Sequence, residues 1–324
     1  MPLLHTSLLI SFIAVICVWV MGRKDPCGRP WLTTLCLGVL LLLPLLSLLP
    51  KVQVEVFQVS GGSAQGATFM GMAELMRITW VSVVILLTVR FFLNKRHLQQ
   101  WLRSAEDAKS SVLLEECATM LGMKNLPQLR LKSGLTSPVV AGVWRPVILL
   151  PATSIEWNKE TRKMAILHEL GHIQRRDLWV RSAAEIACIL HWYNPLVWWL
   201  RAKLLSQCEY ACDALVISSG ADKRSYITAL CDVVESALDE VRPRGLLAMA
   251  DHVPLKLRVN RLIGGVKVGK PWMAVSLAVL TTATALGLSL VKPAVVAEVI
   301  TGVNSPYTQE EIDLRNSADP FPGE

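Results

Sequence analysis

The residues with the clearest chemistry are His168, Glu169 and His172, which form the pattern His-Glu-x-x-His. Two imidazoles four residues apart on a helix lie on one face and can bind the same metal ion. The glutamate between them lies about a third of a turn away, close enough to take a proton from an attacking water without being a ligand. The pentapeptide therefore predicts a metal site with a general base beside it.

Two imidazoles do not complete a catalytic zinc site, which usually has three protein ligands and one open position. Glu209 and Asp213 form a second pattern downstream, Glu-x-x-x-Asp. Glu209 would supply the anionic third ligand, and Asp213, one helical turn later, could accept the outer N–H of a liganding histidine. We therefore predict one Zn²⁺ bound by His168, His172 and Glu209, with Glu169 as the catalytic base and Asp213 supporting the ligands.

Other residues with metal or catalytic chemistry have simpler interpretations. Cys208 and Cys212 flank the predicted carboxylate ligand and could form a thiolate site, but the histidine and glutamate set is complete without them. Free cysteines in a reducing compartment need no function. Tyr210 and His252 are candidate oxyanion donors, and His191, alone in an aromatic run, is interpreted as structural.

The elements around the pattern are unusually apolar. The chain is 52% hydrophobic and 18% charged, which excludes an ordinary cytosolic domain of this length. Apolar stretches long enough to cross a bilayer predict four transmembrane helices, of which the third contains Glu74, Arg77 and Arg90. The predicted spans are about 3–20, 31–50, 70–93 and 272–291.

Basic residues near the ends of the spans predict the topology, because Lys and Arg favour the cytoplasmic side. They place both termini outside and residues 94–271 in the cytoplasm, leaving 292–324 as a short extracytoplasmic tail. This distribution also accounts for the net charge of +7, so no direct binding of nucleic acid is expected.

The cytoplasmic segment is long enough for one domain with its own core. Its patterns predict a helix over 105–121, a strand over 128–132 and a hairpin over 137–151. The hairpin could bind an extended substrate at its free edge or could be a simple core element. The apolar stretch 182–205 is interrupted by Pro195, which favours two helices at the membrane surface or packed behind the site.

These residues resemble the BlaR/MecR-type membrane metallopeptidases, peptidase family fifty-six. The resemblance extends from the N-terminal spans to about residue 265. It implies a mainly α protein in which an α+β zincin-like (gluzincin) protease domain is inserted between the third and fourth of four transmembrane helices. It also implies zinc ligands at His168, His172 and Glu209, with Glu169 as base. The matching motifs include Ser137-Pro138, Gly142, 146–151, 168–177, Asn194–Trp198 and 209–213.

The resemblance implies a multi-pass protein of the bacterial inner membrane. Antibiotic-sensing members of the family continue into a large extracellular penicillin-binding domain, whereas 292–324 contains no Ser-x-x-Lys motif. Covalent capture of β-lactams is therefore not expected.

The predicted function is a zinc metalloendopeptidase that acts at the cytoplasmic face in regulated proteolysis or signal transduction, in an antirepressor-like role. Its expected partners are the lipid bilayer and a protein substrate such as a cytoplasmic transcriptional regulator. Two alternatives stay open: an HtpX-like quality-control protease, and a non-catalytic membrane transducer whose metal site is structural.

Overall fold

The chain is mainly helical, with two small sheets, across the residues that the computed structural model describes. These are residues 2–24, 30–46, 52–57, 66–108, 112–239, 255–264 and 291–296, together with Ser276 and Ala283. The helices are α1 (Pro2–Lys24), α2 (Pro30–Leu46), α3 (Gly66–Arg103), α4 (Val112–Met120), α5 (Lys159–Gln174), α6 (Asp177–Leu190), α7 (Pro195–Ser218), α8 (Lys223–Asp239) and α9 (Leu255–Gly264). The strands are β1 (Val52–Phe57), β2 (Glu106–Asp107), β3 (Gln128–Lys132), β4 (Val139–Ala141), β5 (Val147–Pro151) and β6 (Val291–Val296).

The larger sheet has four strands in the order β2-β3-β5-β4. β5 is an apolar run that pairs in parallel with β3 and antiparallel with β4, and it is buried as a central strand should be. The predicted strand and hairpin are confirmed. The helix predicted over 105–121 is wrong at its start, because residues 106 and 107 pair with β3 and Asp107 forms an ion pair with Arg130 (2.9 Å).

Two hydrophobic cores organise the chain, and α7 contributes to both. α7 has 24 residues and is therefore about 36 Å long. Its first half packs with α1, α2 and α6, and its second half packs with α5 and α9. The first core includes Ile10, Leu40, Ala187, Leu200 and Leu204, and the second includes Ile148, Leu167, Leu170, Val216 and Tyr226.

Buried polar residues fix the turn between α6 and α7 inside the first core. Asn194 caps α7 through the Leu196 backbone N–H (3.1 Å) and donates to Ser11 Oγ (2.9 Å) and Ser7 O (3.3 Å). His191 contacts Ser7 Oγ through Nδ1 (2.9 Å) and the backbone oxygen of Leu40 through Nε2 (2.8 Å). The break at Pro195 was predicted correctly, and the two helices pack inside a bundle, where His191 is a structural residue.

α3 contains the segment Glu74–Gln100, which has 27 residues and a mean hydropathy of 1.8. Among the described residues it is the only helix long and apolar enough to cross a membrane, and none of it is buried. It matches the third predicted span, whose charges Glu74 and Arg77 form an ion pair.

The first two predicted spans coincide with α1 and α2. Ser7–Trp19 in α1 and Pro30–Leu42 in α2 are apolar segments of these helices. The predicted span 272–291 lies outside the described residues, apart from Ser276, Ala283 and the first residue of β6. The number of transmembrane helices therefore stays a prediction.

The smaller sheet joins two distant parts of the sequence. β1 and β6 pair in parallel, with Val52 opposite Val291 and Phe57 opposite Val296. The segment after α2 thus lies beside the segment after the predicted fourth span.

We expect Asn194→Ala to destabilise the first core by about 2–4 kcal/mol. The variant loses a helix N-cap, which is worth about 1 kcal/mol, and several buried hydrogen bonds of about 1 kcal/mol each. Unfolding of the purified chain in detergent micelles measures the change. Asn260→Ala, at an exposed position of α9, is the matched control and should stay within about 0.5 kcal/mol of the native chain. Equal stability of both variants would contradict the role of Asn194.

Candidate metal centre

α5 presents the His-Glu-x-x-His residues on one buried face. Asn158 caps the helix by accepting a hydrogen bond from the Thr161 backbone N–H (2.6 Å), as the sequence predicts. His168 and Glu169 are each 7% exposed, and His172 is 6% exposed. The pattern is therefore part of the interior rather than an ordinary polar helix surface.

α7 packs against α5 and brings Glu209 to both imidazoles. Glu209 Oε2 lies 3.3 Å from His168 Nε2, and Glu209 Oε1 lies 3.5 Å from His172 Nε2. The candidate ligand atoms of the three residues all lie within 4.8 Å of one another. The structure thus brings together the three residues whose spacing suggested a metal site, in a set that could hold one divalent ion.

The outer ring nitrogen of each histidine has its own partner. His172 Nδ1 lies 2.9 Å from Asp177 Oδ2. His168 Nδ1 lies 3.0 Å from the hydroxyl of Tyr226, which itself donates to Asp213 Oδ1 (2.7 Å). These partners can accept a hydrogen bond from Nδ1–H of each ring, which favours the tautomer whose Nε2 lone pair binds a metal. Asp213 Oδ1 itself lies 3.4 Å from His168 Nδ1, so Asp213 faces this ring both directly and through Tyr226.

Two arginines from other helices face the carboxylates. Arg181 of α6 donates to Glu209 Oε1 (2.6 Å). Arg258 of α9 donates to both oxygens of Asp213, with Nε 3.0 Å from Oδ2. Its Nη1 lies 3.8 Å from Glu209 Oε2, and its Nη2 lies 3.4 Å from His168 Nε2. A guanidinium group thus borders the candidate ligand atoms.

The buried charges shift one another's pKa values. Burial alone would raise the pKa of Glu209, but His172 and a hydrogen bond with His168 hold it well below its usual range. Burial alone would lower the pKa of His172, but the Cys212 sulfur, the Glu209 carboxylate and Asp177 raise it well above its usual range. Because a metal binds only the neutral imidazole, the raised pKa of His172 couples metal binding to pH.

A second group of ligand-type atoms lies on the Nδ1 side of His172. Cys212 Sγ is 3.2 Å from His172 Nδ1 and 3.5 Å from Asp177 Oδ2, and all three residues are buried. Burial raises the pKa of the Cys212 thiol, which disfavours the thiolate that a metal needs. His172 Nδ1 also already contacts Asp177. The second group is therefore the weaker candidate, in line with the interpretation of Cys212 as a free thiol.

The remaining candidate residues differ in their surroundings. Glu169 has no hydrogen-bond or ion-pair partner among the described residues, so its carboxylate is free to accept a proton. The Tyr210 ring lies 3.9 Å from the guanidinium carbon of Arg261, and His252 lies outside the described residues. Arg258 is better placed than Tyr210 to contact an oxyanion, because it borders the ligand atoms of His168.

Sequence reasoning missed four partners of the centre. Asp177 had a local signal, since it follows His172 by five residues, just after α5 ends. Arg181, Tyr226 and Arg258 had none, because they come from α6, α8 and α9 and only the packing of these helices brings them to the centre.

The fold and site define a class: mainly helical proteins with a buried histidine and glutamate metal-type centre beside an apolar helical bundle. The family model described as BlaR1 peptidase M56 matches residues 40–262, and the chain belongs to this family.

The chain is similar to several curated regulatory proteins. It is 25% identical to regulatory protein BlaR1 of Bacillus licheniformis over 186 residues, which are 57% of this chain and 31% of that protein. It is 29% identical to the methicillin resistance mecR1 protein of Staphylococcus aureus over 86 residues, which are 26% of this chain and 15% of that protein. It is also 26% identical to BlaR1 of Staphylococcus aureus over 171 residues, 50% of this chain and 28% of that protein. The matches therefore span less than a third of each relative.

We expect Asp177→Asn to weaken zinc binding by about 10–100-fold, because it removes the charge that orients His172 and raises its basicity. Titration of the purified chain against a competing zinc chelator measures the affinity. Asp107→Asn is the matched control, since the Asp107 side chain is 80% exposed. Unchanged affinity in both variants would show that Asp177 does not support a zinc ligand.

Proposed function

We propose that the chain is a membrane-embedded zinc metalloendopeptidase that cuts protein substrates at the cytoplasmic face of the bacterial inner membrane. The main support is the convergence of His168 Nε2, His172 Nε2 and the Glu209 carboxylate within 4.8 Å. Glu169, buried and without a protein partner among the described residues, lies on the same helix. A structural site would have no use for such a carboxylate, whereas hydrolysis requires a base.

The donor set fits zinc. His168, His172 and Glu209 would hold one ion, since two imidazoles and a carboxylate are a common set in catalytic zinc sites. When bound, zinc lowers the pKa of a coordinated water to about 7 and polarises a peptide carbonyl. Glu169 accepts the proton of the attacking water and passes it to the leaving amine. Arg258 stabilises the carbonyl oxygen as it gains negative charge.

The substrate would bind as an extended strand. β4 is an edge strand of the four-stranded sheet, so its outer side can pair with a peptide backbone. Trp144, in the turn after β4, is 85% exposed and packs edge to face on Trp179, with ring centres 4.5 Å apart. This aromatic pair offers an apolar surface for a substrate side chain near the edge.

The proposed topology has four spans, with both termini outside and 94–271 on the cytoplasmic side. From that side, the end of α6 and the first half of α7 enter the bilayer and turn back between α1 and α2. The apolar, unburied segment of α3 supports the third span. The pairing of β1 with β6 supports two membrane crossings between these strands, because it puts the segments after the second and fourth spans side by side. An even number of crossings must separate two segments on one side of a bilayer.

Regulated proteolysis is the favoured role, because relatives bear the name regulatory protein. A cytoplasmic transcriptional regulator is the proposed substrate, and direct binding of nucleic acid is not part of the proposal. Quality control by an HtpX-like protease would cleave many proteins, and a non-catalytic transducer would cleave none.

We expect Glu169→Gln to retain zinc and to lose cleavage by about 10²–10⁴-fold, the usual contribution of a general base. Glu160→Gln, at an exposed position of the same helix, is the matched control and should keep activity. Comparison of new protein N-termini in cells that express each form measures cleavage.

The same comparison separates the roles. One cleaved regulator supports signalling, and many membrane fragments support quality control. Proteolysis retained in Glu169→Gln would remove Glu169 from the mechanism. If Glu169→Gln keeps the downstream response while His168→Ala abolishes it, the transducer is correct.

The topology has its own test, since Cys231 is exposed while the other cysteines in the described ranges are buried. In a Cys27→Ser background, a membrane-impermeant maleimide should label Cys231 in inverted vesicles and not in intact spheroplasts. Cys231→Ser should abolish the signal. Labelling in intact spheroplasts would contradict a cytoplasmic 94–271 segment.

A further inference from the structure

A cavity of about 690 Å³ opens between the second half of α7 and α9. Its walls are rich in cations and contain one acid, Asp213, together with apolar residues. The cations are Arg175, Lys223, Arg258 and Arg261. Such a site attracts an anion with an apolar portion.

The cations differ in whether they have partners. Arg258 is paired with Asp213, and Arg175 lies 3.4 Å from Asp177. Arg261 stacks on the Tyr210 ring, but its Nε and Nη2 are buried without a hydrogen-bond partner among the described residues. Buried charged donors without acceptors are costly, so an anionic acceptor in the cavity would stabilise Arg261.

The depth of the cavity follows from contacts of α7. Thr33, in the first turn of α2, donates to Gln207 (2.7 Å), which fixes the level of the cytoplasmic end of α2. Tyr210 lies three residues further along α7, roughly 4.5 Å deeper into the cytoplasm. In the proposed topology, the guanidinium of Arg261 is therefore at the level of lipid phosphates.

We propose that this cavity binds the headgroup phosphate of an anionic phospholipid, with Arg261 as the main donor and the apolar wall beside the glycerol and upper acyl chain. α9 runs antiparallel to α7, so that Arg261 meets Tyr210 while Arg258 meets Asp213 one turn away. A bound phosphate would therefore hold α9 in place and keep Arg258 beside the metal centre. The inference rests on the proposed membrane orientation and not on peptidase activity.

Nanodiscs of phosphatidylcholine, with or without phosphatidylglycerol, test the site with the full chain. Native mass spectrometry after release counts the retained phosphatidylglycerol. Arg261→Gln should lower retention about tenfold, as expected for the loss of a charged hydrogen-bond donor. Lys256→Gln, an exposed charge removal on the same helix, should retain lipid like the native chain. Circular dichroism checks that each variant is folded, and Arg261→Lys should restore part of the retention.

Adding millimolar inorganic phosphate shows whether the ligand of the cavity is a lipid headgroup or a soluble anion. Retention should be unchanged; complete displacement would assign the cavity to soluble phosphate and overturn the lipid proposal. Equal retention by the native chain and Arg261→Gln would overturn the site altogether. The measurement also works in the Glu169→Gln chain, so an inactive peptidase would leave the result intact.

Discussion

The structure depends on one helix that belongs to two hydrophobic cores. The first half of α7, with Leu200 and Leu204, packs among α1, α2 and α6, while Val216 in its second half packs with α5. Glu209 lies between these halves. Because backbone hydrogen bonds make a helix stiff along its axis, a shift of the apolar bundle moves Glu209 relative to the histidines of α5. The arrangement of the candidate metal ligands is thus mechanically tied to the bundle.

Charge balance imposes the second constraint. Glu209, Asp213 and Asp177 are removed from water near the centre, and each has an arginine within ion-pair distance. Without these cations the carboxylates would be buried and unpaired, and the cost of their desolvation would destabilise the fold. The arginines come from the ends of α5 and α6 and from α9, so the centre is complete only when all of these helices are packed. Local unfolding of one helix would leave a buried charge unpaired.

The sequence predicted what depends on local spacing. The helical repeat predicted that the two imidazoles lie on one face of α5. Asn158 indicated where that helix begins, and Pro195 indicated the break before α7. Glu209 could be found because its acidic pattern repeats at a helical interval. Tyr226 and Arg258 could not, since their places depend on how α8 and α9 pack. The third predicted span was the least apolar of the four because it contains Glu74 and Arg77. These two charges form an ion pair with one another. Among the described residues, α3 is nevertheless the clearest membrane-spanning helix.

The parallel pairing of β1 with β6 also constrains biogenesis. Residues 52–57 leave the ribosome early, and their partner strand 291–296 follows only after α3 and the entire metal-binding region have been synthesised. Closing so large a loop costs entropy that a short pair of strands cannot offset alone, so the intervening elements must already be folded and inserted. The small sheet is therefore a late event in assembly, and its formation would distinguish a completely assembled chain from one stalled during translation.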